Sequence, residues 1–131
     1  MTNDFILLLS RLILLFYFIS NSFNHFRNLG YMSKWVEAKN IPAPKFMVFI
    51  SGVLLFIGGV SILFGIYVSI GILSLTPFFL PVTFIMHDFW REKDSQMRMM
   101  QMINFMKNLA LWAALLALLF IPQPWPFSLK Y

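Results

Sequence analysis

The sequence predicts an all-α membrane protein: an antiparallel bundle of four transmembrane helices, with a short interfacial helix in the first loop. Three observations lead there. Of 131 residues, 60% are hydrophobic and only 11% charged, a composition outside the range of ordinary soluble domains. The apolar residues gather into runs long enough to cross a bilayer, which takes about 20 residues in a helix. The basic residues flank those runs instead of lining one soluble face. The net charge of +5 therefore reads as a topology signal and as contacts to lipid headgroups, with no nucleic-acid partner implied.

The first span runs over residues 5–23. At about 100° per residue, Ser10, Tyr17, Asn21 and Asn24 share one stripe, with Arg11, Ser22 and His25 on the adjoining one. Leu9, Leu12, Phe16, Ile19 and Phe23 cover the far side. The polar arc is expected to face the bundle, either joining helices by hydrogen bonds or lining a cavity. The acidic N-terminus at Asp4, with no small-residue cleavage site after this run, does not suggest a signal peptide.

In the first loop, residues 31–39 suit a short helix at the membrane interface, ended by Asn40 and Pro42. Met32, Trp35 and Val36 share one face, which would set Trp35 at headgroup depth. Residues 46–86 are too long for one span and divide into helices over 46–64 and 67–86, joined by a tight turn near 65–69. Gly52, Gly58, Gly59, Ser61, Gly65 and Ser69 permit close packing of the two. Pro77 and Pro81 each remove a backbone donor, so the third span is expected to kink or unwind there and open a crevice. The fourth span covers 102–121. No repeat or linker divides the chain, and residues 1–131 are expected to form one transmembrane domain.

Four spans put both termini on one side and loops 24–45 and 87–101 on the other. Those loops carry Arg27, Lys34, Lys39, Lys45, Arg91, Lys93 and Arg98, whereas the opposite side carries Lys130 and no basic residue in the 65–69 turn. The positive-inside rule then places the loops in the cytoplasm and both termini outside, in a multi-pass protein of the cell's cytoplasmic membrane.

Polar residues converge at the loop side. His25 and His87 end the first and third spans, and Asp88 and Trp90 follow at the boundary. Gln101, Asn104 and Asn108 share a face of the fourth helix, with Lys107 about two turns in. A lysine there is expected to pair with Asp88 or Asp94, or to extend back toward the loop. His25, His87, Asp88, Asn104, Lys107 and Asn108 are therefore the candidate ligand-binding residues, with Arg11, Asn21 and Trp90 as secondary candidates. Arg11 enters from the other membrane face, about 9 Å deep by helical rise, and is not expected to meet Lys107.

Several chemistries find no support. The chain has no cysteine, which excludes disulfides, thiolate catalysis, thiol–quinone relays and thiolate metal sites. Two histidines with one or two aspartates are a common coincidence at interfaces, so metal or haem is not expected. No acid lies mid-span to relay protons, and neither a phosphate loop nor a hydrolase nucleophile motif is present.

Together these residues resemble the DoxX family of small four-helix membrane proteins. Arg11 is similar to the family's arginine in helix 1, and Asn40-Ile41-Pro42-Ala43-Pro44 to its proline-containing lead-in to helix 2. Gly58 to Gly65 resembles the glycine-bounded apolar run. His87-Asp88-Phe89-Trp90, then Asp94, then Met102-Ile103-Asn104-Phe105-Met106-Lys107-Asn108-Leu109 make the strongest match. The resemblance implies a small membrane subunit of a thiosulfate:quinone oxidoreductase or of an oxidative-stress complex. Two departures stand out. Leu55 occupies the place of a glutamate that many members carry in helix 2, and Ser69 that of an arginine after it. Without that carboxylate, autonomous redox chemistry is less well supported.

Three functions follow as expectations. One is a membrane subunit shaping a quinone site for a redox partner, with His87 or Lys107 donating to a carbonyl. Another is a non-catalytic scaffold or assembly factor. The third is a carrier of lipid or a small molecule through the proline crevice. The partners expected are the bilayer, a redox subunit and a further copy of the chain; the candidate cofactor is a quinone.

Overall fold

The computed structural model describes residues 1–129; Lys130, part of the charge asymmetry above, lies outside the described residues. Five α-helices follow one another: α1 (Thr2–Arg27), α2 (Leu29–Ala38), α3 (Pro44–Phe64), α4 (Val68–Pro81) and α5 (Ser95–Leu118). Helix α4 continues without a break into a π-helical turn over Val82–Met86, and a 3-10 turn follows at Phe89–Arg91. Four stretches, Thr2–Arg27, Pro44–Phe64, Val68–Arg91 and Ser95–Leu118, are long and apolar enough to cross a membrane. The chain is an all-α, multi-pass membrane protein.

Neighbouring spans run antiparallel in the order α1, α3, α4, α5. The α1–α3 seam is tied at Ser22, whose Oγ donates to Gly52 O (2.7 Å). In the α3–α4 seam, Gly58 meets Leu75 so closely that a Cβ there would stand 2.5 Å from the leucine Cγ. The α4–α5 seam has two polar links, Trp112 Nε1 donating to Thr76 Oγ1 (3.1 Å) and His87 Nδ1 donating to Gln101 Oε1 (2.7 Å). Between these seams lies a dry core that includes Phe18, Leu55, Ile72, Leu75 and Phe79, each at most 1% exposed. Leu55 is among its fully buried side chains.

The small residues before the α3–α4 turn do what close packing requires. Gly65 ends α3 in the left-handed region (φ 65°), where a side chain would be strained. Ser61 Oγ donates to Ile66 O (2.6 Å) and so closes the turn from inside. At the start of α3, Pro44 takes a first-turn position where its missing N–H leaves no hydrogen bond unmade.

Three details correct the sequence reading. The buried stripe of α1 is Arg11, Phe18, Ser22 and His25, one step round from the expected centre; Ser10 and Asn24 are exposed. An aromatic side chain, invisible to a search for polar residues, helps define this face. Helix α5 begins at Ser95, seven residues before the expected position, because Asp94 caps it by accepting the Met97 N–H (2.8 Å). The chain stays helical through Pro77 and Pro81, and the widened π turn follows the second proline.

Candidate functional site

The two ends of the bundle treat their polar residues differently. At the end carrying the termini, Arg11 is 1% exposed. Its Nε donates to Ile62 O (3.0 Å), Nη1 to Pro126 O (2.5 Å) and Nη2 to Leu63 O. The guanidinium also lies 5.7 Å from the centre of the Trp125 ring. The Ile62 and Leu63 carbonyls belong to the last turn of α3, which has no amides of its own to offer them, and the cation complements the negative end of that helix. Arg11 therefore joins α1, α3 and the C-terminal segment. It lies far from the polar cluster at the other end, as its predicted depth implies.

The loop end begins with His25. Its Nδ1 donates to Asn21 O (2.8 Å), and Asn21 Nδ2 donates in turn to Tyr17 O (2.8 Å). The His25 ring lies edge-on to Phe78 (5.8 Å), beginning a run of rings through Phe79 and Phe18 to Tyr17. Asn21 and His25 are thus set into the packed interior. Asn108 is also buried there, at 5% exposure. Thr83, in the π turn, is 1% exposed and its hydroxyl has no hydrogen-bond partner among the described residues.

Asp88 is the centre of the charged part. It is 5% exposed and accepts Lys39 Nζ at 2.5 Å, with Arg91 Nε at 3.9 Å from its other oxygen. Helix α2 makes this possible, because it folds back along α3 and ends at Lys39 beside the start of the second loop. The expected pairing of Asp88 or Asp94 with Lys107 does not form. Asp88 is held by Lys39, and Asp94 is the α5 cap. Lys107 is exposed on α5 and donates to Asn104 Oδ1 (3.2 Å), three residues earlier on its own helix.

Beside the Lys39–Asp88 pair is a cavity of about 400 Å³. Lys39, Asp88, Arg91 and Glu92 give it polar walls, and Phe84, Ile85 and Trp90 give it apolar ones. Trp90 is braced edge-on by Phe89 (5.3 Å) and Phe105 (5.8 Å). Of the sequence-predicted residues, Asp88 and Trp90 line this cavity. His87 stands behind it, bound to Gln101 and within electrostatic range of Lys107, Asp88 and Lys39. His25, Asn21, Asn104, Lys107, Asn108 and Arg11 do not line it. Lys39 and Arg91 had been visible only as loop charges. What would have singled them out is α2, which carries Lys39 back to the end of α4.

The family model for DoxX matches residues 6–88, from the first turns of α1 to Asp88. The chain belongs to the DoxX family. Helix α5 of this DoxX protein lies beyond the matched residues, and Asp88, at the centre of the charged cluster, is the last of them. No curated protein and no solved structure matches the chain.

Proposed function

We propose that this DoxX chain is a small subunit of the cytoplasmic membrane, not catalytic on its own, that holds the head of a quinone-type amphiphile for a redox partner. Residues 1–131 act as one transmembrane unit, with the loop end in the cytoplasm. The observation that carries this reading is the cavity beside Lys39 and Asp88. Its volume falls in the range of about 300–1,000 Å³ usual for ligand pockets. It stands where α4 leaves the apolar span, so a ring can rest on Phe84 and Trp90 while its isoprenoid tail follows Ile85 into lipid. Lys39 and Arg91 are then the donors to a ring carbonyl, in place of His87 and Lys107. Asp88 keeps the Lys39 ammonium in position.

One observation favours a scaffold instead. Where related chains carry a membrane glutamate, Leu55 is sealed in the dry core, which leaves no proton acceptor at that place. The absorption spectrum and lipid extract of protein purified in mild detergent separate the two. Stoichiometric quinone, reduced several-fold in the Lys39→Met and Arg91→Ala proteins, supports the site. A colourless, quinone-free protein with normal unfolding leaves the scaffold.

A further inference from the structure

Lys107 lies on a side of α5 that no other helix of the described chain covers. Met100, Ile103, Lys107, Ala110, Ala114 and Ala117 repeat at spacings of three and four along that side, and all are exposed. The alternation of three and four repeats every seven residues, as in a seam staying in register with a second helix as the two wind around each other. The exposed side of α1 is built differently. Ile6, Leu9, Ile13 and Phe16 are bulky and wholly apolar, as a surface bathed in lipid chains should be. On α5 the inner half of the seam consists of alanine, which allows another backbone to approach closely.

The charge adds what small residues alone do not. Lys107 is six residues beyond Gln101, whose link to His87 marks the loop end of the α4–α5 seam. Six residues of helix carry the lysine backbone about 9 Å further into the span. No ion pair to Lys107 forms among the described residues, and its hydrogen bond goes to Asn104. Of the four acids at this end, Asp88 is engaged with Lys39 and Asp94 with the Met97 amide, and neither Glu37 nor Glu92 pairs with Lys107. An ammonium on a backbone at that depth either extends back toward the loop or is stabilised by a counter-charge, and a carboxylate on an adjoining helix would supply the second.

We propose that this face of α5 docks a transmembrane helix of a partner protein, one carrying an aspartate or glutamate at the depth of Lys107. A second copy is not the occupant. Two chains inserted with the same orientation and paired about a two-fold axis along this seam would set Lys107 against Lys107. The proposal does not depend on the quinone cavity, which opens on α2 and the end of α4.

The test uses the full chain in phosphatidylcholine vesicles, labelled at a single cysteine introduced by Ser95→Cys. The probe is a leucine- and alanine-rich spanning peptide of about 22 residues, with Glu, Gln or Leu at the depth of Lys107. Work at about pH 8 favours the ionised carboxylate, which burial opposes and pairing with Lys107 would stabilise. Energy transfer should show the Glu peptide associating about fivefold or more tightly than the Leu peptide, the scale of a polar interhelical contact. Lys107→Met should remove that preference, and Lys107→Glu should transfer it to a peptide carrying Lys. Ala114→Phe should weaken all the peptides. These residues are exposed, so helicity and thermal unfolding should match the parent; should Lys107→Glu not fold, Lys107→Met decides. Equal association of the Glu and Leu peptides overturns the proposal, as does a Glu preference that survives Lys107→Met. It is also overturned if phosphatidylglycerol abolishes the preference, because Lys107 is then a headgroup contact.

Discussion

Arg11 and Lys107 are both cations within apolar helices, and the protein treats them in opposite ways. Arg11 is enclosed, with three carbonyl acceptors supplied by α3 and the C-terminal segment. Lys107 points outward with one amide oxygen for company. Small residues show the same division. Gly58 is small because Leu75 presses on it, whereas Ala110 and Ala114 are small on an exposed face. A polar or small residue in a span therefore has two distinct meanings: it completes the fold, or it meets something from outside.

The largest effect should come from breaking the enclosed cation. Arg11→Met leaves the ends of two segments without donors and should lower unfolding stability in detergent by about 3 kcal/mol or more, since hydrogen bonds to a charged group contribute about 1.5–3 kcal/mol each. Arg11→Lys should recover part of this, because an ammonium cannot reach in the fork geometry of a guanidinium. A loss below that of an ordinary surface change would erase the distinction between the two cations.

Gly58→Ala comes next. The new methyl overlaps Leu75, itself wholly buried, and should cost about 1–3 kcal/mol. Gly30→Ala in α2 is the control. No atom lies within 4 Å of the added carbon, and alanine there should be neutral or stabilising by up to about 1 kcal/mol. Equal thermal shifts at the two sites would mean that the α3–α4 seam is looser than its geometry implies.

Smallest of all should be Lys107→Met and Ala110→Leu, each within about 0.5 kcal/mol of the parent in detergent. A larger fall in unfolding stability at either site would show that the outer face of α5 is held by this chain itself.

The same division separates what was legible in the sequence from what was not. Span number, the short helix in the first loop, the tight turn at Gly65 and the place of Gly58 and Ser61 in the α3–α4 seam follow from local pattern, whereas Gly52 and Gly59, expected in that seam, pack against Phe26 and Phe18 of α1, and Ser69 is exposed. Residues 5–23 and 46–64 mark the cores of α1 and α3 to within a few positions. The early start of α5 was signalled by Asp94, but hydropathy alone passed over it because Gln96 and Arg98 are polar. Partners across the bundle were harder to assign. Asp88 and Lys107 look complementary on paper, yet Lys39 reaches Asp88 because α2 folds back, and no periodicity contains that fact. The buried, unpaired hydroxyl of Thr83 depends on a π turn that propensity does not foretell.

The contact between Arg11 and Pro126 joins residues 115 positions apart along the chain. During synthesis, α1 enters the bilayer with its arginine before any of the three acceptor carbonyls exists. Two arrive with the end of α3, and the third only after α5 has emerged. Insertion must therefore tolerate a poorly matched guanidinium until Pro126 arrives, and formation of the segment that carries it is the step that locks α1 in place. A ribosome stalled before Pro126 should leave a nascent chain whose first helix still exchanges between the membrane and its surface.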